Sequence, residues 1–169
     1  NFKSLIHNQN LGRAFFNSVR NSVILTLLSM VICSIAGYGF EVYHQKSKDV
    51  LFTVLLTAMM LPFVATMIPL FTMFSRVGLI DHRLSVILPL LAFQLPVSIM
   101  LFTNFYRFIP DEVIEAAIID GSSIYGVYTK IIMPLSLNTI LTVVAMNFIT
   151  VWNDYTFSLV FINSTALKT

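Results

Sequence analysis

A chain of 169 residues that is 57% hydrophobic and only 11% charged has too little polar surface to face water all round, since a soluble domain is about a quarter charged. A formal net charge of +2 gives no basic field of the kind that binds nucleic acid, so no nucleic-acid partner is expected. The single cysteine, Cys33, excludes an internal disulfide framework or a CxxC metal pair, and its apolar surroundings make it a small core residue.

The start, Asn1-Phe2-Lys3, has no initiator methionine, and the end, Thr165 to Thr169, has no terminating helix. The chain therefore reads as a piece of a longer protein. Four stretches carry no charge: Asn21 to Phe40 with 20 residues, Val50 to Ser75 with 26, Leu84 to Tyr106 with 23, and Ile131 to Asn153 with 23. Roughly 20 such residues in a helix cross about 30 Å of hydrocarbon, so four membrane spans are expected. Barrel strands are only about 10 residues long and alternate polar with apolar residues, which these stretches do not. Pro62 and Pro69 in the second span, and Pro89 and Pro96 in the third, predict kinks. Ser29, Ser34, Ala36, Gly37 and Gly39 are small enough for close helix contact.

The connecting segments are Glu41 to Asp49, Arg76 to Arg83, and Arg107 to Lys130. Lys46, Lys48, Arg107 and Lys130 fall on one side of the membrane. Lys3, Arg13, Arg20, Arg76, Arg83 and Lys168 fall on the other. Four cations against six leave the orientation open under the positive-inside rule. The spans carry no ionisable residue, because Arg20 and Asp154 flank them. That argues against an ion-coupled secondary transporter, which places such residues in mid-span. His7, His44 and His82 sit in separate polar segments, so neither a metal site nor a catalytic residue is expected. The chain has no Gly-rich phosphate loop, and no cofactor is expected. A purely structural scaffold remains compatible with composition alone.

The third connecting segment carries the functional information. Pro110 suits a first helical turn, and Asp111 and Glu112 favour the positive end of a helix. Val113, Ile114, Ala117 and Ile118 form an apolar stripe at helical spacing, and Gly121 supplies a stop. A second helical piece, Ile124 to Lys130, leads to Pro134 and the fourth span. Helices that rest on lipid carry Lys and Arg on the polar face. This one carries Asp111, Glu112, Glu115 and Asp120, which points to a protein partner.

Glu115-Ala116-Ala117, three residues, Gly121, nine residues, then Ile131-x-Met133-Pro134 resembles the EAA signature of ABC importer permeases, Glu-Ala-Ala through Gly to Ile-x-Leu-Pro. The departure is Met133 for leucine, a volume-conserving change. Asp120-Gly121-Ser122-Ser123 is similar to the sugar branch of that family. So are the Asn17-Ser18 and Asn21-Ser22 pairs, Ala36-Gly37-Tyr38-Gly39-Phe40, Ser75-Arg76-Val77-Gly78-Leu79-Ile80 and Trp152-Asn153-Asp154-Tyr155. The maltose-type subunits are the nearest in pattern.

The resemblance implies an all-α polytopic bundle of the type I importer permease fold in a bacterial inner membrane. It would have six spans, of which this chain would hold the second to the fifth. Residues 1–13 would be an external segment and 14–169 a permease domain, incomplete at its C-terminal end. The EAA loop would be a cytoplasmic coupling helix, with Glu115, Ala116, Ala117, Asp120 and Gly121 meeting an ATP-binding subunit. Glu41 to Asp49 would then lie inside and Arg76 to Arg83 outside. The implied partners are ABC ATP-binding subunits, a second permease subunit of a different chain, an external solute-binding protein and membrane lipid. No covalent chemistry is implied, and hydrolysis would belong to the separate ATPase.

The expected solute is a sugar or oligosaccharide, with an importer of a non-sugar solute as the alternative. Sugars are held by neutral polar groups and aromatic faces. Gln94, Asn104, Asn138 and Asn147 are the candidate pathway residues, in a chain with 15 phenylalanines and one tryptophan. Each of the four could equally serve to join helices.

Overall fold

The computed structural model describes residues 11–42, 47–164 and 167. Lys3, His7, His44, Lys46 and Lys168, and most of the 1–13 segment, lie outside these residues. Every regular element among the described residues is helical, as lipid requires of a chain that must satisfy its backbone internally.

Helix α1, Leu11–Val42, runs 32 residues, about 48 Å at 1.5 Å per residue. It overruns the uncharged stretch at its N-terminal end. Helix α2, Lys48–Thr57, continues into a 3₁₀ turn, Ala58–Met60. A second 3₁₀ turn, Phe63–Thr66, precedes helix α3, Met67–Arg76. Between the two turns Leu61 and Pro62 are extended, with ψ of 119° and 120°. Proline pushes the residue before it out of the helical region, and the two halves of this span meet at 92°.

Helix α4, Leu84–Tyr106, is unbroken over 23 residues. The kinks expected of all four prolines therefore resolve into one chain break, at Pro62. Pro69 is the third residue of α3, where its missing N–H has no intrahelical acceptor to lose. Pro89 and Pro96 stay inside a continuous α4.

Helix α5, Asp111–Ile119, and helix α6, Ile124–Val127, form the third connecting segment. The chain then passes through a π turn, Tyr128–Ile132, and the short α7, Met133–Leu135. It bends by 75° at Ser136 into helix α8, Leu137–Trp152. Residues 131–135, expected inside the fourth span, lie before this bend, so the span is bent where a continuous helix was expected. Helix α9, Thr156–Phe161, follows a short break after α8. Among the described residues two helices, α1 and α4, are long and apolar enough to span a membrane unaided, and four spans result if each bent pair counts as one.

α1 packs along α4 and α8. Gly37 makes the first contact possible: a β-carbon there would lie 2.7 Å from Phe102 Cβ and 3.1 Å from the Thr103 backbone nitrogen. Two apolar clusters fill the bundle. One gathers Leu25, Met67, Phe74, Leu90, Phe157 and Phe161. The other gathers Cys33, Tyr38, Phe102, Tyr106, Val127 and Ile132. Asn147 ties three helices together, donating to Ser29 Oγ of α1 at 2.8 Å and to Ser98 Oγ of α4 at 3.1 Å. Leu27, Leu28, Val31, Ile35, Val54 and Leu141 are among many large apolar side chains left exposed. In a membrane that surface faces lipid or further helices.

Candidate functional site

The arm is held at one end of the bundle. Pro110 is the residue before α5, with an extended backbone, and its carbonyl accepts Val113 N–H at 3.1 Å. Gly121 stands at φ +87°. Its N–H donates to Ile118 O, and Ser122 N–H donates to Ala117 O, each at 2.9 Å. This pair of bonds is a Schellman motif, which caps α5 and turns the chain by using a left-handed residue. Ser123 then opens α6, its hydroxyl accepting Gly126 N–H at 3.1 Å.

Two tyrosines fasten the arm to α1. Tyr38 OH donates to Ile124 O at 3.2 Å, and Tyr128 OH lies 2.6 Å from Ser34 Oγ. The Tyr38 ring also meets those of Tyr128 and Tyr106, with centroids 5.1 and 6.2 Å away. Glu41 and Arg107 pair at 3.6 Å beside the arm. A surface pair of this kind contributes little stability, but it sets the ends of α1 and α4 on the same side.

Of the expected stripe, Ala117 is buried and Ile114 half-buried, whereas Val113 and Ile118 are exposed. Asp111, Glu112, Glu115, Ala116 and Asp120 are exposed as well. Apolar tips stand among them: Phe108 is 83% exposed, Ile119 84% and Tyr125 81%. Aromatic and aliphatic anchors beside acidic groups make a surface suited to a basic-lined protein cleft.

The opposite end is closed by Asp81. Its N–H donates to Phe161 O at 2.9 Å, and its Oδ1 accepts Ser164 N–H at 2.8 Å and Asn163 N–H at 3.0 Å. The Ser164 bond is the main cause that holds its carboxyl below the ordinary carboxylate value. Asp81 stands at φ +62°, a conformation that aspartate tolerates better than most residues. The 76–83 loop and the segment after α9 therefore share the end away from the arm.

The four pathway candidates do not converge. Asn104 and Asn138 are exposed. Asn147 is enclosed by its serine partners. Gln94 is buried and lines a cavity of ≈ 540 Å³ between the Leu61–Pro62 break, α4 and the end of α8. Phe63, Phe93, Asn153, Asp154, Tyr155 and Phe157 line it too. The aromatic walls were not singled out by sequence. The signal available was Tyr155, already quoted within Trp152-Asn153-Asp154-Tyr155.

The described residues thus form a polytopic helical bundle of membrane type that carries an acidic-tipped helical arm between two candidate spans. The family of binding-protein-dependent transport system inner membrane components matches residues 29–169, and the chain belongs to that family. The family places it in the inner membrane as a non-catalytic component.

The osmoprotective compounds uptake permease protein GgtD of Synechocystis is 32% identical over 98% of this chain and 56% of its own length. The lactose transport system permease protein LacG of Rhizobium radiobacter is 31% identical over 100% and 61%. The arabinooligosaccharides transport system permease protein AraQ of Halalkalibacterium halodurans is 32% identical over 92% and 55%. The chain thus spans little more than half the length of these relatives. Among solved structures, a bacterial ABC transporter involved in the import of the acidic polysaccharide alginate superimposes with a TM-score of 0.86. It covers 98% of this chain and 58% of its own, at 21% identity, a likeness of fold.

Proposed function

We propose that the chain forms part of the translocation pathway of an ABC importer for a neutral sugar or oligosaccharide. In this reading residues 14–169 are the permease domain, residues 1–13 an external segment, and the arm faces the cytoplasm. The partners are two ATP-binding subunits, a second permease subunit of different sequence and an external solute-binding protein.

The observation that carries the reading is the capped α5 helix. Its exposed acidic face and apolar tips are held on an arm that is hydrogen-bonded back to α1. When the ATP-binding subunits close, a docked arm moves with its cleft as a rigid body. The Tyr38 and Tyr128 contacts pass that motion to α1, so nucleotide state selects between two packings of the bundle. Glu115, Ala116 and Asp120 meet the cleft and Gly121 supplies the turn, while Ala117, expected at the cleft as well, is buried against the bundle and anchors the helix from behind. The names of the lactose and arabinooligosaccharide relatives support the sugar reading, as does the name of a starch degradation products permease, 30% identical.

The test is solute uptake by the assembled importer. Glu115→Lys places a cation against a basic cleft. Gly121→Val forces a β-branched residue to φ +87°. Each variant should insert in the membrane and lose ATP-driven uptake. Normal uptake by both would remove the coupling role.

A further inference from the structure

We infer that the cavity beside Gln94 is a sugar subsite within this subunit, one that takes a neutral, hydroxyl-bearing ring. The inference rests on the importer reading and adds to it a place in this subunit where the sugar is held and the residues that select it.

Gln94 is only 7% exposed. Its Nε2 and Oε1 are both buried, and neither has a hydrogen-bond partner among the described residues. An unpaired buried polar group costs about 1–3 kcal/mol, and a leucine would fill this position on α4 without that cost. The side chain lines the cavity, so a ligand there would complete its bonding.

The amide offers both a donor and an acceptor. A hydroxyl group satisfies both. A quaternary ammonium group satisfies neither. A carboxylate or phosphate satisfies the donor alone and would meet the Asp154 carboxylate in a cavity that no Lys or Arg among the described residues lines. Asp154 accepts Phe157 N–H and Ser158 N–H at 3.2 Å each, which fixes the carboxylate and leaves lone pairs for hydroxyl donors. The Phe157 ring lies 6.1 Å from both Phe63 and Phe93. This aromatic wall suits the apolar face of a sugar ring. The ≈ 540 Å³ volume falls within the roughly 300–1,000 Å³ of small-ligand sites.

The experiment uses the complete importer in proteoliposomes with its own binding protein. The probes are radiolabelled lactose, maltotriose and arabinotriose, set beside glycine betaine, glutamate and phosphate. At least one carbohydrate should be taken up. Gln94→Leu should lower its uptake about tenfold, the size of one hydrogen-bond contribution. The Tm of the complex should hold or rise, because an unpaired amide has been removed.

A purely structural glutamine would give the opposite sign in Tm. Uptake unchanged in both Gln94→Leu and Asp154→Asn would overturn the subsite, and so would a loss of uptake accompanied by a lower Tm. Uptake confined to betaine, glutamate or phosphate would also overturn it, together with the sugar class proposed above, while leaving the chain's role in an ABC importer intact. A wild-type complex that moves no solute and whose ATP hydrolysis ignores the binding protein would overturn both.

Discussion

Replacing Gly37 by alanine measures how closely α1 and α4 must approach. The added β-carbon would lie 2.7 Å from Phe102 Cβ and 3.1 Å from the Thr103 backbone nitrogen. Carbon pairs sit best at about 3.5–4.0 Å, so the helices must separate by close to an ångström or tilt. Both neighbouring atoms are anchored in α4, so no flexible side-chain end can absorb the shift. Overpacking of this kind costs about 1–3 kcal/mol, against a gain of up to about 1 kcal/mol from helix propensity. Gly39→Ala has the same propensity gain and nothing within 4 Å of its β-carbon, so it is the internal control. The Tm of the purified complex in detergent should be several degrees lower for Gly37→Ala than for Gly39→Ala, a gap of about 1–3 kcal/mol. Equal midpoints would refute the close-packed α1–α4 contact. Because Ser34 and Tyr38 flank Gly37 and hold the arm, Gly37→Ala should also reduce uptake more than Gly39→Ala.

Two further outcomes are expected. In a Cys33→Ser background, Val77→Cys should react with an impermeant maleimide in intact cells and Ser47→Cys only after permeabilisation; the reverse pattern would invert the proposed topology. Asp81→Ala should release the segment after α9, read as faster proteolysis near Asn163 in the detergent-solubilised complex, while Asp81→Asn keeps an acceptor and protects. The folded pKa of Asp81 is depressed, so its contribution is complete above the unfolded carboxylate value near 3.9 and is lost as pH falls through the lower folded value. Cleavage at Asn163 should therefore be flat from about pH 5 to 8 and rise only in stronger acid; a rise at neutral pH would contradict the bonding.

Much of this architecture was legible because lipid imposes simple rules. Charges marked the loops, and uncharged length marked the spans. Gly121 was legible as a stop since a tight turn after a helix needs a left-handed residue, and φ +87° answers that need. The bends were less legible. A proline tells that a helix can break, and neighbouring residues decide whether it does, so Pro62 breaks its span while Pro89 and Pro96 do not. The bend at Ser136 has no proline at the corner itself, so the uncharged run gave no sign of it. Among the pathway candidates, sequence could not separate Gln94 from Asn147. Both are buried amides, and only packing shows that one meets two serines while the other faces a cavity.

The proposed coupling requires the arm to dock on an ATP-binding subunit. A photo-crosslinking amino acid placed at Ala116, exposed on α5, tests it directly in membranes that contain the whole importer. Ala116 should crosslink to the ATP-binding subunit, and the same group at Val77, at the opposite end, should not. A crosslink to that subunit from Val77 and not from Ala116 would contradict it.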